Sequence, residues 1–272
     1  TQKKVVADIY SRLTGLPYKT ELDSELSNKV EKIVDRLKKS GSKGVVVSGI
    51  NDVAVQEIIL AINAYLDSEV IDIKQPKLIR QGSDSKVSKL ISQIKNGEVK
   101  GLITIGVNPA YTLPNADEYT SAVKKLELSV AFSTKEDETA AAAKFIAATP
   151  HYLESWGDYE FKKGHFALAQ PTIKPLFDTQ QFQDVILKLI NSNNNYYQEI
   201  KSFWKKNILN QKTWNKSLHD GYLITDQKIE SVSNDINVSK HIKNLSASSS
   251  KGMSLILYSK TGMGDGQQAN NP

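Results

Sequence analysis

The chain has 272 residues, no cysteine and a formal net charge of +5. Without cysteine, its own residues cannot form disulfides, Cys-based zinc sites or thiolate-bound iron–sulfur clusters. Its lysines are interspersed with Asp and Glu, which is typical of a solvated surface and not of a nucleic-acid-binding stripe. Its longest apolar runs have the length of a strand, so we predict no direct membrane insertion. We expect the sequence to be part of a longer protein.

Segments with hydrophobic residues at helical spacing alternate along the chain with short apolar runs. Helices are predicted over residues 24–40, 84–95, 116–125, 182–190 and 196–209, and a short helix is predicted to begin near Asp137. A further helix is predicted after a cap at Asn51 or Asp52, with the apolar stripe Val55, Ile58, Ile59, Ile62 and Leu66. Strands are predicted at residues 45–48, 70–73, 101–105, 128–132, 144–148 and 252–258.

This alternation predicts an α/β fold with a doubly wound, mostly parallel sheet and helices on both faces. We predict an N-terminal extension at residues 1–22 and the α/β domain at 23–192. Residues 193–272 are predicted to be a helical and loop-rich segment with a late strand, leading into a missing domain. Within it, residues 226–251 are rich in Ser, Asn and Lys and are predicted to be mainly loop.

The loops that follow the strands are predicted to share one edge of the sheet, because right-handed crossovers bring the strand ends together. Open α/β sheets bind their ligands at this edge, which we call the loop edge. It comprises residues 49–52, 106–109, 133–139 and 150–158. A Gly-x-Gly-x-x-Gly pattern and a Walker loop are both absent from the sequence, which excludes the usual dinucleotide and nucleoside-triphosphate sites.

The run from Gly106 to Pro109 has two interpretations. It can be a turn that leaves the sheet, with Gly106 allowing a close approach and Asn108-Pro109 stopping helix formation. It can also be a polar rim, where backbone amides and the Asn108 side chain contact a ligand.

The acidic run before Thr139 also has two interpretations. Asp137 and Glu138 can favour the positive end of a helix, or paired carboxylates with Glu136 can act as acid and base.

A third candidate group consists of His151, Glu154, Trp156 and Asp158. His151 and Glu154 could hydrogen-bond or bind a metal with Asp158, but a second histidine with ligand spacing is lacking. Trp156 is most simply a core or interface anchor. A Gly-x-Ser-x-Gly elbow is missing as well. We therefore assign no catalytic residue and no metal site.

Six motifs lie in order at residues 106–111, 135–139, 150–158, 170–177, 214–221 and 264–272. Together they resemble the molybdopterin oxidoreductase superfamily of the dimethyl-sulfoxide-reductase type, and the resemblance runs from about residue 41 onwards. More closely, they are similar to the large iron–sulfur subunit of quinol:cytochrome c oxidoreductases of the alternative complex III type.

The resemblance implies a Rossmann-like domain, and it implies that loops matching Gly106–Pro109 and Glu138-Thr139 cradle a molybdopterin guanine dinucleotide in catalytic relatives. In the closer relatives it implies a scaffold without molybdenum, with iron–sulfur clusters in a part of the parent protein that is not present here. The nine candidate residues would then shape the loop edge and bond neighbouring loops and domains. They are Gly106, Asn108, Pro109, Glu138, Thr139, His151, Glu154, Trp156 and Asp158.

We therefore expect a non-catalytic scaffold domain without its own cofactor, at the periplasmic face of a bacterial inner membrane. Its expected partners are other domains of the parent protein, membrane quinol-oxidising subunits and a haem-carrying cytochrome subunit. One alternative is a fragment of a molybdopterin-dependent oxidoreductase that helps to bind the dinucleotide cofactor. Another is a small-molecule-binding domain unrelated to redox chemistry.

Overall fold

A computed structural model describes residues 2–17, 22–79, 81–230 and 237–247, together with Met253, Leu255, Tyr258 and Gly262. These residues form two compact units. The N-terminal unit contains the described residues of 1–76 and 228–257, and the sheet unit contains those of 77–227 and 258–272. The domain boundaries predicted at residues 22 and 192 stay predictions.

Among the described residues, the N-terminal unit contains helices, and the sheet unit contains both helices and strands. The helices are α1 (Gln2–Thr14), α2 (Ser24–Ser40), α3 (Val53–Tyr65), α4 (Asp84–Lys95), α5 (Pro109–Thr112), α6 (Ala116–Val123), α7 (Glu138–Ala142), α8 (Phe182–Leu189), α9 (Tyr196–Asn207), α10 (Trp214–Asp220) and α11 (Val238–Ala247). The strands are β1 (Gly101–Ile105), β2 (Leu128–Ser133), β3 (Phe145–Ala148), β4 (Gly157–Lys162), β5 (His165–Ala169) and β6 (Tyr222–Ile224). Short 3-10 turns occupy Gly41–Lys43 and Tyr152–Glu154.

The N-terminal unit is helical, with α1, α2, α3 and α11 around one apolar core. Val30 of α2 and Ile58 and Ile62 of α3 are fully buried there. The predicted stripe of α3 is confirmed, and in α2 Val30 and Val34 are buried as predicted while Ile33 is 41% exposed. Asp52 caps α3 by accepting a hydrogen bond from the Val55 N–H at 3.2 Å, which also confirms the predicted cap.

The strand predicted at residues 45–48 is wrong. Buried Asn63 of α3 accepts from the Val46 N–H and donates to the Val46 carbonyl, both at 2.8 Å. These backbone groups are therefore satisfied by a helix side chain instead of a neighbouring strand. The apolar run has the right composition for a strand, but tertiary packing decides whether it pairs.

Two further predictions also fail. Residues 70–73 form turns and bends instead of a strand. The segment 226–251, predicted to be mainly loop, contains the helix α11, whose Ile242 is buried in the helical core. The hydrophobic periodicity of this segment is weak, so the sequence pattern did not predict the helix. The late strand predicted at 252–258 falls largely outside the described residues.

The sheet unit confirms the α/β prediction. Strands β1, β2 and β3 are parallel and adjacent in that order, with Ile105 level with Phe132, and Ser133 level with Ala148. On one face, Leu102 packs against the apolar residues of α4 and α6. On the opposite face, Phe132 meets the ring of Phe182 in α8 at 4.9 Å between ring centroids. Helices thus lie on both faces.

A second, antiparallel sheet was not predicted. Strands β4, β5 and β6 are adjacent in that order. Phe166 of β5 and Leu223 of β6 share an apolar core with Trp204 of α9 and Trp214 of α10. In neither unit does the described part of the chain contain a helix that is long and apolar enough to cross a membrane.

Candidate functional site

The carboxyl ends of β1, β2 and β3 meet at one edge of the parallel sheet, as the loop-edge prediction requires. Gly106 directly follows β1 with φ of +60°, a left-handed conformation that glycine adopts most readily. Its N–H still donates to the carbonyl of Phe132 in β2 at 2.9 Å. The chain therefore leaves the sheet at Gly106 with its last amide paired.

A short helix begins where a helix stop was expected. Pro109 is the first residue of α5, a position where its missing N–H costs nothing and its fixed φ fits the helix. The interpretation of Asn108-Pro109 as a helix stop is therefore wrong. The turn that places Asn108 at the edge of the sheet is nevertheless present.

Asn108, Glu138 and Thr139 join the loop after β1 to the start of α7, and we call them the Asn108 cluster. The Asn108 Oδ1 accepts from the Thr139 hydroxyl at 2.8 Å and from the Thr139 N–H at 3.2 Å. The Asn108 Nδ2 donates to Glu138 Oε2 at 2.6 Å. The Thr139 hydroxyl in turn accepts from the Ala110 N–H at 2.9 Å. Both ends of the Asn108 amide are thus engaged within the chain.

The acidic residues before Thr139 have separate roles. Asp137 caps α7 by accepting from the Ala140 N–H at 2.9 Å, which confirms the capping interpretation. Glu138 is exposed, and the hydrogen bond from Asn108 is the main reason why its pKa lies below the ordinary value, with a backbone N–H and Lys135 adding to the effect. Glu138 is therefore a fixed negative charge at this edge at neutral pH.

His151 and Glu154 form a capping box around the 3-10 turn at Tyr152–Glu154. Nδ1 of His151 accepts from the Leu153 N–H at 3.3 Å, and Oε2 of Glu154 accepts from the His151 N–H at 2.9 Å. The second carboxylate oxygen of Glu154 accepts from the Leu176 N–H at 3.1 Å. Glu154 therefore ties residues 170–177 to the turn.

Asp158 lies in β4 and connects that strand to α9. Its carboxylate accepts from the Tyr196 hydroxyl at 3.2 Å and from the Trp204 indole N–H at 3.0 Å. Burial and the nearby Asp158 carboxylate raise the pKa of Tyr196. Trp156 packs on the ring of Tyr197 with 4.5 Å between ring centroids. Asp158 and Trp156 therefore both stabilise the core between the antiparallel sheet and α9.

The nine candidate residues thus fall into three groups. Gly106, Asn108, Pro109, Glu138 and Thr139 come together around the Asn108 cluster, while the other four serve the capping box and the aromatic core. Within the described residues, no group of three or more His, Asp or Glu side chains could hold a metal ion. Residues 49–52 belong to the N-terminal unit, and their predicted place at the loop edge stays a prediction.

Tyr119 of α6 is a residue that the sequence patterns did not single out. It is 4% exposed, and its hydroxyl has no hydrogen-bond partner within the described part of the chain. Burial, with a smaller contribution from Asp137, raises the pKa of Tyr119 to about 12. From the sequence alone, a single tyrosine in a helical stripe does not reveal that its hydroxyl is buried or that its pKa is raised.

The β4–β5 hairpin was missed although a signal for it exists. Gly164 has φ of +77° between the two strands. A glycine at this place indicates a hairpin turn, because glycine adopts a positive φ without steric cost. A Cβ on Gly164 would lie 2.8 Å from the Thr225 carbonyl oxygen and 2.9 Å from that of Gln227. Glycine is therefore required here both by conformation and by space.

Known proteins resemble parts of this chain. No protein-family model matches it. The chain is 31% identical over 103 residues to the assimilatory nitrate reductase catalytic subunit of Bacillus subtilis. It is 28% identical over 126 residues to the molybdopterin-binding-like subunit of the menaquinone reductase of Nitratidesulfovibrio vulgaris. The matches cover 38% and 42% of this chain but only 14% and 18% of those proteins.

These similarities support the molybdopterin oxidoreductase superfamily at a coarse level. Each match covers less than a fifth of the oxidoreductase subunit concerned.

Proposed function

We propose that this chain is a non-catalytic scaffold domain in the iron–sulfur subunit of a membrane-bound quinol-oxidising electron-transfer complex. The observation that carries this proposal is the Asn108 cluster. The side chains at the candidate cofactor edge bond to one another, and they hold the loop after β1 against the start of α7.

The side chains of this cluster do not fit a molybdopterin guanine dinucleotide as they stand. The Asn108 amide and the Thr139 hydroxyl, which could otherwise contact the cofactor, are committed to each other and to Glu138 and Ala110. The Glu138 carboxylate would also oppose the negative pyrophosphate. A cofactor contact made by both ends of the Asn108 amide would require Asn108 to release Glu138 and Thr139.

The second candidate is a fragment of a molybdopterin-dependent oxidoreductase that helps to bind this cofactor. Its support is the similarity to a nitrate reductase catalytic subunit and to a subunit described as molybdopterin-binding-like. The free energy for opening the Asn108 cluster would then come from cofactor contacts supplied by the rest of the parent protein.

As a scaffold, the domain would pack against other domains of its parent and, through them, against membrane subunits and a haem-carrying cytochrome. It would act at the periplasmic face of a bacterial inner membrane. Electrons would pass through clusters bound elsewhere in the parent protein, because this chain contains no cysteine to bind them.

The deciding experiment is metal and pterin analysis of the purified full-length parent protein. We expect iron and labile sulfide without stoichiometric molybdenum and without extractable pterin. Molybdenum and pterin near one per chain would overturn the scaffold proposal and establish the second candidate.

A companion experiment separates a scaffold from a cofactor site. In the parent complex, Asn108→Ala is expected to lower the yield of assembled complex while the turnover per assembled complex stays unchanged. Exposed Asn194 of the same unit supplies the control, Asn194→Ala, for which normal assembly is expected. Normal assembly of the Asn108→Ala complex with lost turnover would contradict the scaffold role.

A further inference from the structure

An open groove of about 1040 Å³ lies in the sheet unit, away from the Asn108 cluster. It is bounded by the C-terminal turn of α9, by residues 208–212 and by β6 with the residues that follow it. Its lining includes Lys205, Lys206, Lys212, Ile224 and Asp226. The volume is at the upper limit of small-molecule pockets, so the groove has room for a short peptide.

One wall of the groove is β6, whose outward backbone groups have no backbone partner among the residues that the structure describes. Among the described residues, β6 pairs with β5 and is the last strand of its sheet. The Leu168 N–H donates to the Gly221 carbonyl, and the Thr225 N–H donates to the Gly164 carbonyl. Residues 221, 223 and 225 therefore direct their backbone groups towards β5. By the alternation of an antiparallel ladder, those of Tyr222 and Ile224 point the other way.

An open strand edge of this kind accepts an added strand. The N–H and C=O groups of an edge strand are a template for pairing with an extended segment. This mode of recognition supplies main-chain hydrogen bonds, while flanking side chains select the sequence. Half-exposed Ile224, at 50%, offers an apolar contact beside the edge.

The charge of the groove selects the kind of segment. Among the described residues that line it, three exposed lysines lie near one carboxylate, that of Asp226. Two of these lysines are in the last turn of α9, where the helix dipole favours cations. Carboxylates on one side of an added strand would face this positive wall. Charge complementarity of this kind raises both the specificity for acidic segments and their association rate.

We propose that this groove binds an extended acidic peptide segment of a partner protein as an additional strand on β6. The segment pairs with the backbone of Tyr222 and Ile224 and places acidic side chains against Lys205, Lys206 and Lys212. An extended peptide fits better than single-stranded nucleic acid, because only a peptide has N–H and C=O groups that continue the hydrogen-bond ladder of β6. This inference does not depend on the proposed scaffold function.

The test uses the full chain and a fluorescein-labelled peptide of about eight alternating Glu and Val residues, which is within the usual length of a strand. Fluorescence anisotropy is expected to show saturable binding that weakens as salt increases from about 0.05 to 0.2 M. The triple variant Lys205→Gln, Lys206→Gln, Lys212→Gln is expected to bind about tenfold more weakly.

A matched control removes three other exposed lysines of the same unit, through Lys89→Gln, Lys124→Gln and Lys125→Gln. It carries the same net charge as the groove variant and is expected to bind within about twofold of the unchanged chain. Equal weakening in both triple variants would overturn the proposal, because general charge attraction would then explain the binding. Thermal unfolding of all three proteins verifies that they are folded.

Two further probes test the mode of binding. A peptide with N-methyl groups on every residue cannot donate along either of its edges, so it is expected to lose most of its affinity. Unchanged affinity of this peptide would overturn strand addition. Inorganic pyrophosphate or an oligothymidylate that binds this groove more tightly than the peptide would overturn the choice of occupant.

Discussion

The Asn108 side-chain oxygen accepts two hydrogen bonds from Thr139, one from its hydroxyl at 2.8 Å and one from its backbone N–H at 3.2 Å. The two residues are 31 positions apart, and each belongs to a different strand-to-helix connection. Thr139 is 2% exposed, so this contact is shielded from water. It makes the Asn108 cluster a rigid link between the loop after β1 and the N-terminus of α7.

Thr139→Val is expected to destabilise the sheet unit by about 1–3 kcal/mol. Valine has nearly the same shape, but it leaves the Ala110 N–H without its acceptor and removes one donor to Asn108. The measurement is urea unfolding monitored by tryptophan fluorescence. Exposed Thr134 provides the control Thr134→Val, which we expect to change the unfolding free energy by less than about 0.5 kcal/mol. Equal stabilities of the two variants would contradict the prediction.

The stability of the sheet unit is expected to fall as acid protonates Glu138. The pKa of Glu138 is lowered in the folded state, mainly by the Asn108 hydrogen bond. Its contribution is therefore fully present above the unfolded pKa of about 4.3 and is lost as the pH falls through the lower folded value. Glu138→Gln should remove this part of the acid dependence.

The measurement for Glu138 is the urea midpoint of both proteins between pH 3 and pH 7. Glu136→Gln, at a neighbouring exposed position, serves as the reference. A Glu138→Gln variant with the same acid slope as the unchanged chain would show that the Asn108–Glu138 contact does not contribute.

Tyr119→Phe is expected to stabilise the sheet unit by about 1 kcal/mol at neutral pH, because it removes a buried hydroxyl that lacks a partner within the described residues. The variant should also resist alkali better. The folded pKa of about 12 exceeds the unfolded value of about 10, so stability is full below pH 10 and is lost as the pH rises towards 12.

The difference between the folded and unfolded pKa of Tyr119 corresponds to a loss of about 2–3 kcal/mol of stability at the alkaline end of this range. Urea unfolding between pH 8 and pH 12 compares Tyr119→Phe with Tyr111→Phe, since Tyr111 is 51% exposed. A Tyr111→Phe variant that gains as much alkaline stability would contradict the assignment to Tyr119.

Asp158→Ala is expected to destabilise the sheet unit by about 2–4 kcal/mol, because the Tyr196 hydroxyl and the Trp204 indole N–H both lose their acceptor. Trp204 is fully buried, so water cannot readily replace the carboxylate. Trp156, Trp204 and Trp214 all lie in or against this core, and fluorescence-monitored unfolding reports on it directly. Asp178→Ala, in an exposed loop of the same unit, should have little effect.

Part of the site could be predicted because it follows from local pattern and topology. Parallel strands with right-handed connections bring their carboxyl ends together, and this topology predicts that Asn108 lies near Glu138 and Thr139. The roles of His151 and Asp158 could not be predicted in the same way. The partners of Asp158 are Tyr196 and Trp204, 38 and 46 residues further along the chain, and no spacing rule connects such positions.

The sequence by itself determined the elements whose pattern is complete within one segment. The apolar stripe of α3 and the short apolar runs of β1 and β2 required only their own residues to predict which element they form. The tertiary structure decided everything that depends on a distant partner. Asn63 hydrogen-bonds the backbone N–H and C=O of Val46, so this apolar run does not pair in a sheet. In contrast, Tyr222–Ile224 forms a strand because it pairs with β5, more than fifty residues earlier in the chain. Backbone hydrogen bonds must be satisfied in either case, and only the folded chain determines which neighbour supplies them.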